Sequence, residues 1–244
     1  MDRPKLRDSK KLQTPELYPL NEIPREVINE IGKHFVYLLC TGRKDISGGD
    51  WGDAFAEAVG GTHLDSPIGI ADVVLGNMAW SLKTVKSGNP FEAQNVRLIS
   101  GRCSPDYSYG ITDPHEDLEK TGRAVLGIWN ERLNIAQDNY RQIRTIVLIR
   151  SNDLLSYCLF EEESSLFRTN EFSWAANSNG NLIGTETLSG KQKFTWQPHG
   201  AQFTIHAEVS ASAVKFSLKR PPLETKALIL EGLGFDASWV TLHG

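Results

Sequence analysis

The segment GIADVVLGNMAWSLKTVK, residues 69–86, constrains the fold of this chain more than any other stretch. Two apolar runs, residues 70–75 and 78–82, flank the dipeptide Gly76-Asn77. Such a dipeptide between apolar runs is typical of a two-residue turn that joins antiparallel strands. The segment therefore predicts a β-hairpin in which Leu75 faces Met78 and pairing runs outward in steps of one residue.

This pairing decides which polar side chains meet. Asp72 lies opposite Ser81, and alternation along the strand places Lys83 on the same face as Ser81. Opposed side chains are about 5 Å apart and diagonal ones about 7–8 Å apart. A carboxylate, a hydroxyl and an ammonium are thus predicted to converge, and an ordinary Asp–Lys ion pair on a half-exposed sheet is the alternative interpretation. The other face carries Val73, Trp80 and Leu82.

Hydrophobic periodicity predicts a mixed α/β (α+β) fold for the whole chain. Helices are expected over residues 24–39, 51–59 and 115–140. A further helix is expected to begin at Asn89-Pro90 and to include PFEAQNVRLIS, because Asn is a good cap and Pro suits the first helical position. Buried strands are expected over residues 144–150 and 155–160, followed by antiparallel strands in the C-terminal third.

Three regions follow from this pattern. Residues 1–47 are an N-terminal arm and helix, in which residues 1–20 are charged and predicted to be loosely packed. Residues 48–160 form the core around the hairpin. Residues 161–244 are β-rich and either form a recognition region or complete the same domain.

Composition limits the partners and the compartment. The net charge is −4 at pH 7 and the isoelectric point about 5.9, so any surface that binds nucleic acid must be local. Three widely spaced cysteines without a CxxC pair fit a reducing cytoplasm. No apolar run approaches a membrane span, so a cytoplasmic protein without membrane contact is expected. There is no GxGxxG, Walker, HExxH or GxSxG motif to indicate another enzyme class.

Two glutamates flank the hairpin. Glu57 lies on the predicted helix before it, and Glu92 lies in the first turn of the helix predicted after it. With Asp72, either glutamate would supply carboxylate oxygens suited to Mg²⁺, which activates water and binds phosphate oxygens. Lys83 would orient that water or stabilise a pentavalent phosphorus. The alternatives are a solvated helix face for Glu57 and a helix-dipole partner for Glu92.

These residues together resemble a nuclease motif. Asp72, followed nine residues later by Ser81-Leu82-Lys83, resembles the PD-(D/E)XK motif on its usual hairpin. The string SLKT is similar to the catalytic strand of type II restriction endonucleases and of related mismatch-repair nicking enzymes. The preceding segments WGDAFAEAVGG and GIADVVL resemble the upstream helix and strand of that superfamily. The resemblance is best over residues 50–100 and extends loosely to about residue 150.

The resemblance implies a restriction-endonuclease-like core, a mixed sheet flanked by helices, and roles for individual residues. Asp72 would bind the metal, Lys83 would be the catalytic lysine, and Glu57 matches an upstream glutamate found in many members. Ala71 stands where the motif has proline. The metal ligands would then include Asp72 and Glu57, with Mg²⁺ as the cofactor.

Ser81 is the main departure, because it occupies the acidic position of the motif and a hydroxyl is a poor replacement for a carboxylate. One branch of restriction enzymes has SXK on this strand and carries the glutamate on the following helix. Glu92 fits that pattern and would then be the second metal ligand.

The β-rich region contains FTWQPHGAQFTI, residues 194–205, with a Pro-His-Gly turn. Glutamine can pair bidentately with adenine in the major groove, so Gln197, His199 and Gln202 are candidate DNA-reading residues. The alternative makes Trp196 a core anchor and His199 a turn residue. Candidate phosphate contacts are Arg97, Arg102, Lys215, Lys219 and Arg220.

The sequence therefore favours a Mg²⁺-dependent endonuclease that cuts double-stranded DNA, with the specificity of a type II restriction enzyme. Palindromic targets favour a homodimer. One alternative is a repair or modification-dependent nuclease of the same superfamily. Another is a DNA-binding module that Ser81 has made inactive, and a third is an enzyme with paired carboxylates and another substrate, such as a glycosidase.

Overall fold

The computed structural model describes residues 16–64 and 69–243. Within these ranges the chain forms two β-sheets and five α-helices, a mixed α/β architecture as predicted. The helices are α1 (Arg25–Cys40), α2 (Gly48–Val59), α3 (Pro105–Tyr109), α4 (Leu118–Asn139) and α5 (Lys226–Gly232). The strands are β1 (Thr62–His63), β2 (Val73–Leu75), β3 (Met78–Lys86), β4 (Asn95–Arg102), β5 (Gln142–Arg150), β6 (Ser156–Glu163), β7 (Phe172–Ala176), β8 (Leu182–Glu186), β9 (Gln192–Gln197), β10 (Gln202–Glu208) and β11 (Val214–Ser217).

The first sheet is mixed and has the order β1-β2-β3-β5-β6-β11. Strands β3 and β5 are parallel, and the other neighbours are antiparallel. The chain returns from β3 to β5 through α4, as a parallel pair requires a long crossover. The second sheet, β4-β10-β9-β8-β7, is antiparallel throughout, which confirms the predicted β-rich C-terminal third.

The hairpin has the predicted register. Leu75 pairs with Met78, and Val73 pairs with Trp80. Gly76 has φ +55°, the left-handed region that the first central residue of a type II′ turn occupies. The local turn signal was therefore sufficient to set which side chains face each other.

The helix predicted from Asn89-Pro90 is wrong beyond its first turn. Asn89 caps a 3-10 turn over Pro90–Glu92, and the chain then becomes strand β4. In β4 the inward side chains alternate with exposed ones, and the strand pairs along β10. Period-two burial and long-range pairing therefore override the local helix signal.

The first sheet is covered on both faces. Helices α1 and α2 pack on the face that carries Trp80, together with Ile146 and Leu159 of the neighbouring strands. Helix α4 and the inner side of the second sheet pack on the face that carries Ala79 and Ile143. Ser81 and Lys83 alternate with Trp80 and Leu82, so they lie on the α4 side.

The predicted loose arm is wrong for residues 16–20, and residues 1–15 lie outside the described residues. Tyr18 is buried, and its hydroxyl donates to Glu161 Oε1 at 3.1 Å. Arg144 donates to the Tyr18 carbonyl oxygen at 3.0 Å. Residues 16–20 are fixed against the first sheet because they supply hydrogen-bond partners to the buried side chains of Glu161 and Arg144. In the part of the chain that the structure describes, no helix has the length and apolar character needed to cross a membrane.

Candidate active site

Three polar side chains of the hairpin converge as the sequence predicted. The Lys83 ammonium donates to Ser81 Oγ at 2.9 Å. Ser81 Oγ lies 3.5 Å from Asp72 Oδ2, and the Leu82 backbone N–H donates to the same carboxylate oxygen at 2.7 Å. The strand backbone and the serine hydroxyl therefore hold the carboxylate and the ammonium in one small cluster.

The cluster is largely withdrawn from water. Ser81 is only 1% exposed, and Asp72 and Lys83 are half-buried. Burial lowers the pKa of the Lys83 ammonium below its usual value; the Asp72 carboxylate opposes this shift and the Arg132 guanidinium adds to it. Lys83 consequently releases its proton more readily than an exposed lysine does.

Arg132 of α4 is a site residue that the sequence did not reveal. Its guanidinium donates to the Ser100 carbonyl oxygen at 2.8 Å and lies 5.8 Å from the centre of the Trp129 ring. Two glycines with positive φ, Gly69 and Gly101, leave room for it. Arg132 belongs to α4 and comes near the hairpin because α4 packs on this face of the sheet. Its spacing from Asp72 and Lys83 along the sequence therefore did not indicate that it belongs to the site.

We expect Gly101→Ala to destabilise the fold through its backbone strain and through loss of the Arg132 hydrogen bond to the Ser100 carbonyl oxygen, because the guanidinium has to move away from the added Cβ. Gly101 has φ +93°, and an added Cβ would lie 2.7 Å from the Arg132 guanidinium. Gly76→Ala is the matched control, because Gly76 has φ +55° and open space around the added Cβ. Strain at positive φ costs about 1 kcal/mol. Urea unfolding measures the free energy of unfolding of both variants. Equal losses in Gly101→Ala and Gly76→Ala would contradict the close approach of Arg132 to Gly101.

A row of polar residues continues from Ser81 across the sheet. Ser81 pairs with Thr145 on β5, and Thr145 pairs with Glu162 on β6, so all three share one face. A cavity of about 290 Å³ opens over Thr145 and Glu162 and is also lined by Lys193. The pKa of the Glu162 carboxyl is raised above its usual value, chiefly by burial. The Lys193 ammonium opposes this shift, and the Glu208 carboxylate adds to it. Glu162 is a carboxylate that the sequence did not reveal, two strands or about 10 Å from Ser81.

Glu57 is not brought together with Asp72. It lies on the exposed side of α2, where its carboxylate is 2.8 Å from His34 Nδ1. Helix α2 packs through Phe55 against Trp80, with ring centres 5.4 Å apart, on the face opposite Lys83. Burial of the large aromatic side chains of α2 has fixed its position.

Glu92 also lies away from Asp72. It is exposed in the 3-10 turn, and its predicted place on a helix is wrong. The carbonyl oxygen of the neighbouring Phe91 accepts a hydrogen bond from Lys215 Nζ at 2.6 Å. Lys215 belongs to β11, the edge strand, which lies three strands or about 14 Å from β3.

The fit to Mg²⁺ rests on Asp72. Within residues 16–64 and 69–243 no group of three or more His, Cys, Asp and Glu side chains is placed to hold a metal ion. Mg²⁺ is, however, commonly bound by one or two carboxylates together with waters and substrate phosphates. Among the described residues, both hydrogen bonds accepted by the Asp72 carboxylate end on Oδ2, which leaves Oδ1 for a cation.

The candidate DNA-reading residues lie close together on the second sheet. Arg102 pairs with Gln202, and Gln202 pairs with Gln197, so the three form a row across β4, β10 and β9. His199 is exposed in the adjoining turn. Arg97 pairs instead with His206, farther along the same sheet. The remaining candidates, Lys219 and Arg220, are exposed beyond β11.

Trp196 is a core anchor, as the alternative interpretation of this stretch had it. Its ring is buried, and its indole N–H donates to the Cys103 carbonyl oxygen at 2.8 Å. It thereby ties β9 to the chain that follows β4.

Comparison with known proteins adds no assignment to this geometry. No family model, curated protein or solved structure matches the chain at a significant level. What the site can do therefore has to be inferred from its own residues.

Proposed function

We propose that this protein is a Mg²⁺-dependent endonuclease that hydrolyses phosphodiester bonds of double-stranded DNA. The observation that carries the proposal is the hydrogen-bonded cluster of Asp72, Ser81 and Lys83 on one hairpin face. A carboxylate beside a lysine of lowered pKa is suited to hydrolysis of a phosphate diester, which needs a cation site, a positioned water and stabilisation of negative charge.

Each residue of the cluster has a separate task. Asp72 would hold the cation, which when bound polarises a phosphate oxygen and lowers the pKa of a water. Ser81 donates to Asp72 and accepts from Lys83, so it fixes both charged groups. Lys83 would orient the attacking water or stabilise the charge that develops on the phosphate, and its hydrogen bond to Ser81 holds the ammonium in place for this.

Sequence specificity is proposed to reside in the second sheet, and a homodimer would match a palindromic target. Gln197 and Gln202 face the same side of that sheet as Arg102. The two amides suit base edges, and the guanidinium suits a base edge or a phosphate.

We expect Gln197→Ala and Gln202→Ala to weaken binding to the cognate site more than binding to random DNA. Loss of one good base contact costs about 1–3 kcal/mol of discrimination. Gln137→Ala is the control, because Gln137 is exposed on α4. Competition binding at fixed salt measures the ratio of the affinities for cognate and random DNA. An unchanged ratio in both variants would show that Gln197 and Gln202 do not read bases.

The direct test is incubation of the purified protein with phage DNA in Mg²⁺ or in EDTA. Discrete fragments that require Mg²⁺ would support a sequence-specific enzyme, and a smear would indicate nonspecific digestion. Parallel reactions on methylated and unmethylated DNA separate a restriction enzyme from a modification-dependent nuclease. Intact DNA in every reaction would overturn the nuclease proposal.

A second candidate function is a DNA-binding module without cleavage activity. It is favoured by one observation, the separation of Glu57 and Glu92 from Asp72, which leaves Asp72 as the carboxylate of the cluster within residues 16–64 and 69–243. DNA binding that is retained in the absence of any cleavage would support it.

The same separation predicts that Glu57→Gln and Glu92→Gln keep cleavage near the wild-type rate. Glu57 pairs with His34 at the surface, and such pairs contribute about 0–1 kcal/mol to stability. Cleavage rates at several Mg²⁺ concentrations are the measurement. A large loss of rate with a raised Mg²⁺ requirement in either variant would show that this glutamate does reach the metal.

A further inference from the structure

A cavity of about 420 Å³ lies beside the turn between β9 and β10. One wall is formed by this turn, through Pro198 and the buried Trp196. The segment that follows β4 and includes α3 also lines the cavity, through Pro105 and Asp106. This volume falls within the range of small-molecule sites, roughly 300–1,000 Å³.

The lining suits a flat, uncharged heterocycle. Trp196 and the prolines supply apolar walls, while Ser104 and Thr112 supply hydroxyls. Arg102 is the one cation among the described lining residues, and the Asp106 carboxylate balances it. A phosphate would be repelled by Asp106, whereas a nucleobase offers both acceptors for Arg and amino donors for Asp.

The position of the cavity connects it to DNA. Arg102 both lines the cavity and begins the row that continues through Gln202 and Gln197. A duplex that contacts this row would therefore contact Arg102, which also lines the cavity.

An exposed aromatic residue stands next to one of the lining residues. Tyr107 follows Asp106 in α3 and is 92% exposed. A tyrosine left in water on a short helix is suited to stack on bases, because every base presents a π-face.

We infer that this cavity binds a single nucleobase turned out of the DNA duplex, and that Tyr107 stacks on the bases left behind. The inference rests on the proposed function, since it needs DNA as the ligand. Enzymes that turn out a base hold it between apolar side chains and contact its hydrogen-bonding edge. In this cavity, Arg102, Asp106 and the hydroxyls of Ser104 and Thr112 would contact that edge of the base.

The test uses the full chain carrying Lys83→Met, so that Mg²⁺ can be present without cleavage. A duplex is first selected from a random-sequence pool by binding. Each adenine of this duplex is then replaced in turn by 2-aminopurine and each cytosine by pyrrolocytosine, so that every base pair carries a probe once. Both probes become brighter when they lose stacking. We expect one base pair to brighten several-fold on binding.

Ser104→Leu is the variant that fills the cavity. Ser104 lines the cavity, and its side chain makes no capping hydrogen bond to α3. We expect this variant to lose the emission increase and at least about 10-fold of its affinity for the selected duplex. Ser108→Leu, on the exposed side of the same short helix, should behave as its parent does.

The outcomes separate the two proposals. Tight binding of the selected duplex with no probe brightening, or equal brightening in Ser104→Leu, would overturn the nucleobase pocket and leave DNA binding intact. Failure to enrich any duplex, together with intact phage DNA in the cleavage assay, would overturn the proposed function itself.

Discussion

Asp72→Asn and Lys83→Met should each reduce DNA cleavage by roughly 10²–10⁴-fold, the range expected when a positioned acid, base or charge-stabilising group is removed. Asp72→Asn retains an oxygen that can accept from the Leu82 N–H, so the hairpin should stay folded. Lys83→Met retains the length of the side chain but removes the donor to Ser81. Initial cleavage rates and thermal unfolding of each variant are the measurements.

Lys86→Met is the matched control for the lysine. Lys86 belongs to the same strand but lies on the opposite face, where it pairs with Asp45 at 2.8 Å. It should cleave at the wild-type rate. Near-normal turnover in Asp72→Asn or Lys83→Met, or an equal loss in Lys86→Met, would remove the hairpin cluster as the active site.

Glu161→Leu should lower the free energy of unfolding by about 3–5 kcal/mol, the cost of leaving a buried charge without its partner. Glu161 is 1% exposed and accepts from Tyr18, Trp80 and Arg144. The substitution would strand the Arg144 guanidinium, whose other ion pair is to the half-exposed Glu16. Urea unfolding at pH 7 measures the effect.

Two further variants make this prediction specific. Glu163→Leu, two residues along β6 at an exposed position, should change stability by less than about 0.5 kcal/mol. The double variant Arg144→Met/Glu161→Leu should recover part of the loss, because both charges are then gone. If Glu161→Leu and Glu163→Leu lowered the free energy of unfolding equally, the hydrogen bonds of the buried Glu161 would contribute no more to stability than a surface carboxylate does.

The hairpin could be predicted because everything that specifies it is local. Gly76-Asn77 fixes the turn, and the alternation of Trp80, Ser81, Leu82 and Lys83 fixes the two faces. No distant residue needs to be known for this step. The central cluster followed from the hairpin, whereas the mixed α/β class followed from hydrophobic periodicity along the whole chain.

Strand β4 could not be predicted in the same way. Asn89 and Pro90 are genuine helix-start residues, and they do form a capped turn. The next residues become a strand because β10, much later in the chain, offers a pairing edge. Single-sequence patterns do not contain that partner.

Site residues that arrive by packing were missed or misplaced for a related reason. Arg132 reaches the hairpin only because α4 packs on that face of the sheet. Glu57 is close to Asp72 in sequence, yet Trp51 and Phe55 bury α2 on the opposite face. Proximity along the chain does not determine which side of a sheet a helix covers.

Each sheet contains a strand from a distant part of the chain, and this limits how the protein can be divided or engineered. β4 comes from the middle of the chain and joins the second sheet, while β11 comes from near the end and joins the first. A cut after residue 160 would fall within β6, deprive β4 of β10 and remove β11 from its edge. Neither half would hold a complete sheet, so the two sheets are expected to melt in a single cooperative transition. Transplanting the β-rich part alone onto another catalytic scaffold should therefore fail, and new specificity would have to be introduced by point changes within the intact chain.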